Sequence, residues 1–169
     1  YVAGMRDVLV CLDAESGHER WRVDFVQRFK SALPAFGFVC SPLVTNDSVY
    51  VQAGSGFVKL DKQTGETRWR VLADDGGMNG SAFSSPLLTE VGGRPVVLVQ
   101  TRTRLAAVDA ETGDVQWSQD VPAFRGMNIL TPTVYQGDVF TSTYGGQTTL
   151  FHPNSQSAGV SSKWTNKLQ

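Results

Sequence analysis

Two stretches of this 169-residue chain carry the same tripeptide, Gly77-Met78-Asn79 and Gly126-Met127-Asn128. An Asn amide offers hydrogen-bond donors and an acceptor, and a flexible Met offers adaptable apolar contact, so Met78, Asn79, Met127 and Asn128 read as candidates for a ligand or partner surface. The competing reading is inheritance of one turn, with Gly permitting the bend and Met plugging beneath it. Arg102, Arg104 and Arg125 are candidates for attracting an anionic group, or else ordinary solubilising charges, and Gln147 stands in a companion loop. Asp74, Asp75 and Asn79 supply the hard oxygen ligands that calcium takes, although such a cluster in a Gly-rich segment is expected to be a solvated turn. His18 and His152 are not paired with a Ser or Cys nucleophile by any motif, and no Cys-x-x-Cys or His-rich spacing points to zinc. No catalytic residue and no metal site are expected.

What must position these residues is a repeat. The pattern Asp-x-x-Ser/Thr-Gly-x-x-x-Trp runs from Asp13 to Trp21, Asp61 to Trp69 and Asp109 to Trp117, with a constant spacing of 48 residues between tryptophans. A period of that length marks an architecture in which one supersecondary unit cannot bury its own apolar face and leans on its neighbours. Within the second unit, residues 41–47, 48–54, 57–61 and 66–71 read as four short strands rich in Val, Tyr, Phe, Thr and Trp, separated by Asn-Asp, Gly-Ser-Gly and Gln-Thr-Gly turns. The unit is therefore a four-stranded antiparallel meander. The Asp ends the third strand and accepts hydrogen bonds from the following turn, while Gly17, Gly65 and Gly113 supply the positive φ that the turn needs. The Trp, on the last strand, is expected to cover the join to an adjacent unit, each contributing about 4–6 kcal/mol as an upper bound.

The third unit repeats this grammar over residues 85–89, 94–101, 105–109 and 115–117. A fourth, over 131–135, 139–144 and 148–151, reaches Trp164 with His152 in place of the Asp and 12 residues to the Trp instead of 8. Ser41-Pro42 and Ser85-Pro86 open the first strand, where Pro is tolerated, and imply no reactive hydroxyl. The expected architecture is all-β, with an incomplete unit over about residues 1–30 and further units over about 37–75, 82–120 and 129–169.

The runs from Leu9 to Trp21, Val58 to Trp69 and Ala107 to Trp117 resemble the tryptophan-docking repeat of quinoprotein-type, or PQQ-like, β-propellers. That family includes pyrroloquinoline quinone (PQQ) dehydrogenases and cofactor-free relatives such as the outer-membrane assembly factor BamB. The resemblance implies a β-propeller of four-stranded blades, of which residues 1–169 hold about 3.5, and a fragment of a larger ring. The remainder of the propeller, or a second copy, is expected to cover the edges of the end blades. It also implies that binding residues lie in the loops meeting at one mouth, here 25–39, 72–84 and 120–130 with the short turns 54–56, 102–104 and 145–147. By resemblance, PQQ enzymes hold their cofactor with adjacent cysteines, a stacked Trp and Glu, Asn and Asp ligands for calcium. This chain has no adjacent cysteines, and Trp21, Trp69, Trp117 and Trp164 all fall on the structural register. No cofactor is therefore expected. PQQ with calcium belongs to an alternative in which the chain is part of an oxidoreductase, and an extracellular sensor domain is a third. The main expectation is a non-catalytic module that binds or scaffolds proteins, in the periplasm or another extracytoplasmic site.

Fifteen basic and sixteen acidic residues leave a formal net charge of −1, which argues against nucleic acid as a partner. No apolar stretch approaches the roughly 20 residues of a membrane span, so membrane association would come only through regions outside this chain. Cys11 and Cys40 are expected to be packed thiols and not a disulfide.

Overall fold

The structure, a computed structural model, describes residues 1–74, 82–91, 94–154 and 159–167. Its strands form four antiparallel sheets, each a simple meander in chain order, grouped into two compact units, Tyr1–Ala82 and Phe83–Gln169.

In the first unit, β1 (Val2–Gly4), β2 (Val8–Leu12) and β3 (Glu19–Asp24) make a three-stranded sheet. A four-stranded sheet follows, of β4 (Leu43–Val44), β5 (Ser48–Ala53), β6 (Gly56–Asp61) and β7 (Thr67–Val71). The core lies between them. Leu9, Cys11, Trp21 and Val23 from one sheet meet Val49, Val51, Val58 and Leu60 from the other, as the period-2 alternation of a strand requires. Cys11 and Cys40 both belong to this core, as unpaired thiols.

The second unit repeats the plan with β8 (Leu87–Val91), β9 (Arg94–Gln100), β10 (Arg104–Asp109) and β11 (Val115–Asp120), then β12 (Thr133–Tyr135), β13 (Asp138–Ser142), β14 (Thr148–Pro153) and β15 (Val160–Asn166). Val96, Leu98, Leu105, Ala107 and Trp117 pack there against Val139 and Phe151.

The repeated turn has one construction. Asp13 Oδ1 accepts the Ser16 amide at 3.0 Å, and Asp61 and Asp109 accept the Thr64 and Thr112 amides at 2.9 Å. Gly17, Gly65 and Gly113 sit at φ 72°, 71° and 83°. Each last hairpin also carries a β-bulge immediately before its Trp, because Trp21 pairs with Cys11 while Glu19 pairs with Leu12, leaving Arg20 unopposed. Arg68, Gln116 and Lys163 are the extra residues in the other three sheets. The bulge turns Arg20 and Arg68 back onto Asp13 and Asp61, at 2.5 Å in both cases.

Two features depart from the sequence reading. Residues 25–39, expected as a loop, begin with a helix, α1 (Phe25–Phe29), because the Asp24 side chain caps it by accepting the Gln27 amide at 2.9 Å. In the fourth sheet the carboxylate missing at His152 is supplied by the neighbouring strand. Asp138 accepts from Lys163 Nζ at 2.7 Å and lies 2.7 Å from His152 Nδ1. The hairpin thus keeps its charge pair with the residues exchanged between strands.

Candidate functional site

At one end of the second unit, three connections converge: the β9–β10 turn, the stretch between β11 and β12, and the β13–β14 turn. The stretch after β11 includes a 3₁₀ turn at Phe124–Gly126, with Arg125 at φ 55°. Its Phe124 amide donates to Tyr144 O at 2.8 Å, and the two rings meet edge to face with centroids 6.1 Å apart. Gly126 lies against Arg102, where an added Cβ would sit 3.2 Å from the Arg102 Cβ. Asn128 Nδ2 donates to the carbonyls of Thr101, Arg102 and Val121 at 2.9, 3.2 and 2.9 Å. The buried Asn128 amide is therefore the pin that binds this stretch to the β9–β10 turn, a structural duty for a side chain whose type also suits a ligand surface.

Of the other sequence candidates, Arg125 stacks on the Phe124 ring at 5.1 Å, and Arg104 pairs with Asp120 at 3.5 Å on the surface. Met127 is partly buried, and Gln147 is exposed beside the glycines of the β13–β14 turn. Arg102, Arg125, Met127, Asn128 and Gln147 are thus gathered at one end of the unit. Met78, Asn79 and Asp75 lie outside the described residues.

Sequence reasoning passed over the apolar members of this end. Phe124 is 54% exposed, Tyr144 53% and Ile129 53%. The only available signal was large apolar residues placed among Gly, Pro and Gln in a loop, where a core has no use for them. It also passed over a groove of about 780 Å³ between the end of β11 and the β13–β15 face, lined by Gln119, Phe124, Thr149, Ser162 and Thr165 among others.

Several titratable groups among the described residues are engaged structurally. Arg68, then the Thr64 amide, holds the Asp61 carboxyl down to about 2. Arg20 lowers Asp13, Lys163 and then His152 lower Asp138, and the Thr112 amide lowers Asp109. Burial pushes the Cys40 thiol up to about 12 and raises the Asp7 carboxyl, despite the Gly54 amide donating to it at 2.7 Å. The lowered carboxyls and the raised Cys40 thiol are thereby moved away from neutrality, where a nucleophile or general base is poised. Among the described residues the two thiols are separate and buried, and the Asp13 and Asp61 carboxylates already serve turn amides and arginines.

Comparison with known proteins places the chain among propellers. The family profile described as outer membrane protein assembly factor BamB matches residues 1–169. Among solved structures, BamB from Moraxella catarrhalis is 26% identical with a TM-score of 0.60, over 88% of this chain and 41% of that one. The quinohemoprotein alcohol dehydrogenase from Comamonas testosteroni is 16% identical with a TM-score of 0.64, over 99% of this chain and 33% of that one, a likeness of fold. The chain thus spans about two fifths and one third of these relatives. Comparison with curated protein sequences gives no match.

Proposed function

From the chain's membership of the PQQ-repeat β-propeller family of the outer membrane protein assembly factor BamB, we propose that it is a non-catalytic protein-binding module of a larger extracytoplasmic propeller. The observation that carries this reading is the loop cluster of the second unit. There Phe124 and Tyr144, each more than half exposed, are held edge to face by a backbone hydrogen bond and flanked by Arg125. Exposed aromatics with an adjacent Arg are the residue types that anchor protein interfaces, because a rigid ring loses little entropy on burial and a guanidinium reaches several acceptors. The likeness to BamB, whose name describes an assembly factor of the outer membrane, supports a protein partner and a periplasmic setting.

The test is photo-crosslinking from a probe at Tyr144 in the whole protein, expressed in its own cell envelope. A discrete adduct with another protein is expected, weakened at least about tenfold by Arg125→Glu, since loss of one interface anchor costs more than about 1.4 kcal/mol. The reading is overturned if no adduct forms while added PQQ and calcium give a bound-quinone absorbance and dye-linked dehydrogenase activity.

A further inference from the structure

We propose that the groove between β11 and the β13–β15 face binds a neutral saccharide of about two rings. The first unit shows what fills the same place when nothing is to bind there. Across its second sheet the register sets Val51, Val58 and Arg70 in one row. Phe29 of α1 closes that row, under the Arg70 guanidinium at 4.6 Å.

In the second unit the corresponding row is Thr141, Thr149 and Thr165. No helix covers it. Thr is nearly the shape of Val, so three hydroxyls in a seam that is simply packed would add desolvation cost and no contact area. Here they form a chain instead. Thr149 and Thr165 hydroxyls are 3.3 Å apart, and Ser162 and Thr165 hydroxyls 3.1 Å apart, each with lone-pair capacity left over. Behind them Gln100, fully buried, accepts from Thr141 Oγ1 and donates to Ser142 O at 3.3 Å, which fixes the floor.

Hydroxyls that can donate or accept suit a ligand that does both, as a sugar ring does. The volume, about 780 Å³, lies within the range of small-ligand sites. At the rim, Phe124 offers an exposed ring against which the C–H face of a sugar packs, and Gln119 and Gln147 offer amides. The floor carries no charge; at the rim the Asp120 carboxylate is paired with Arg104 and Lys167 is one exposed cation, so the hydroxyl floor and not a charge field would recognise the ligand.

The experiment is amide-resolved NMR titration of the protein with cellobiose, maltose and N,N′-diacetylchitobiose, and with a Gly-Ser octapeptide as control. Saturable shifts at the Thr149, Gln147 and Ser162 amides are expected with at least one disaccharide, at a Kd of about 0.1–10 mM. Thr149→Val with Thr165→Val, which removes two of the three hydroxyls of the row, is expected to weaken that binding about tenfold or more while leaving the melting temperature nearly unchanged, because both partners of the Thr149–Thr165 contact are replaced by apolar groups of the same shape. Absence of saturable shifts to about 50 mM, shifts unaltered in the double variant, or binding of the peptide alone overturns the proposal. The saccharide groove shares Phe124 with the protein-binding cluster, and the two readings are separated by variant: Arg125→Glu tests the one and the Thr pair the other.

Discussion

The two units are built on one repeat, yet their seams are closed by different means. In the first, the Trp21 ring lies on Gly65 of the next sheet's turn, where an added Cβ would come within 2.7 Å of the ring, and its Nε1 donates to Lys62 O at 3.0 Å. Asp7 reaches across to the Gly54 amide, and Phe25 and Phe29 fill the end of the seam. In the second, no acceptor among the described residues meets Trp117 Nε1, which is buried. Val121 stands where Phe25 does, as its amide donates to Thr103 O just as that of Phe25 donates to Asp7 O. A backbone bond from Phe124 to Tyr144 replaces the Asp7 strut, and the end of the seam stays open. The difference teaches that the repeat fixes where two sheets meet, while residues outside the repeat decide whether the meeting is sealed or left as a surface.

That contrast can be broken by mutation. The largest effect is expected from Phe25→Ala, about 3–5 kcal/mol of lost stability in urea denaturation, since its ring is fully buried in a closed seam. Val121→Ala should cost about 1.5–2 kcal/mol, at about 0.8 kcal/mol per buried carbon. Equal losses would mean that both seams are equally packed.

A smaller separation is expected between Trp21→Phe and Trp117→Phe. Both lose ring volume, but only the first abandons an N–H to carbonyl bond, and the second removes a buried donor without an acceptor. The Trp21 variant should therefore be less stable than the Trp117 variant by about 1 kcal/mol in paired thermal melts, and the reverse order would refute the contrast.

The smallest effects are acid-base. The Asp61 carboxyl, lowered from 3.8 to about 2, contributes stability that is complete above pH 3.8 and is lost as pH falls through about 2. Asp138, lowered by Lys163 and His152, acts with the same sign in the second unit. Asp61→Asn and Asp138→Asn should each flatten the decline in melting temperature on acidification below pH 3.8. Asp7 has the opposite sign. Burial raises its carboxyl, so its charge opposes folding once pH exceeds the ordinary value of 3.8. Asp7→Asn keeps an acceptor for Gly54 and tolerates the φ of 59°, and it should gain stability relative to the parent between pH 3 and pH 7.

Much of the fold was legible because the repeat encodes local geometry. Asp61, Thr64, Gly65 and Trp69 state a turn and a last strand almost without reference to the rest of the chain, and the strands around them alternate in apolar residues. The helix at Phe25 was not legible, since a capping Asp before Phe-Val-Gln-Arg-Phe is too short a signal to outweigh a loop expectation. At the loop end, the residue types of Arg125, Asn128 and Gln147 drew attention, but their duties differ. Asn128 is buried as a backbone pin and Arg125 lies on Phe124, a division that depends on three loops meeting. The exchange of Asp138 for the residue at 152 was equally hidden, because a carboxylate on the adjacent strand is 14 positions away in sequence.

The sequence by itself determined the period, the hairpin turns, the Trp-bearing last strand and hence the propeller family, since each follows from interactions within a few residues of the chain. Tertiary structure alone decided which seam is sealed by Phe29 and which is left lined by Thr141, Thr149 and Thr165, and which loops come together around Phe124 and Tyr144. Those outcomes depend on side chains about 20 to 50 residues apart competing for the same space, and no local propensity records the winner.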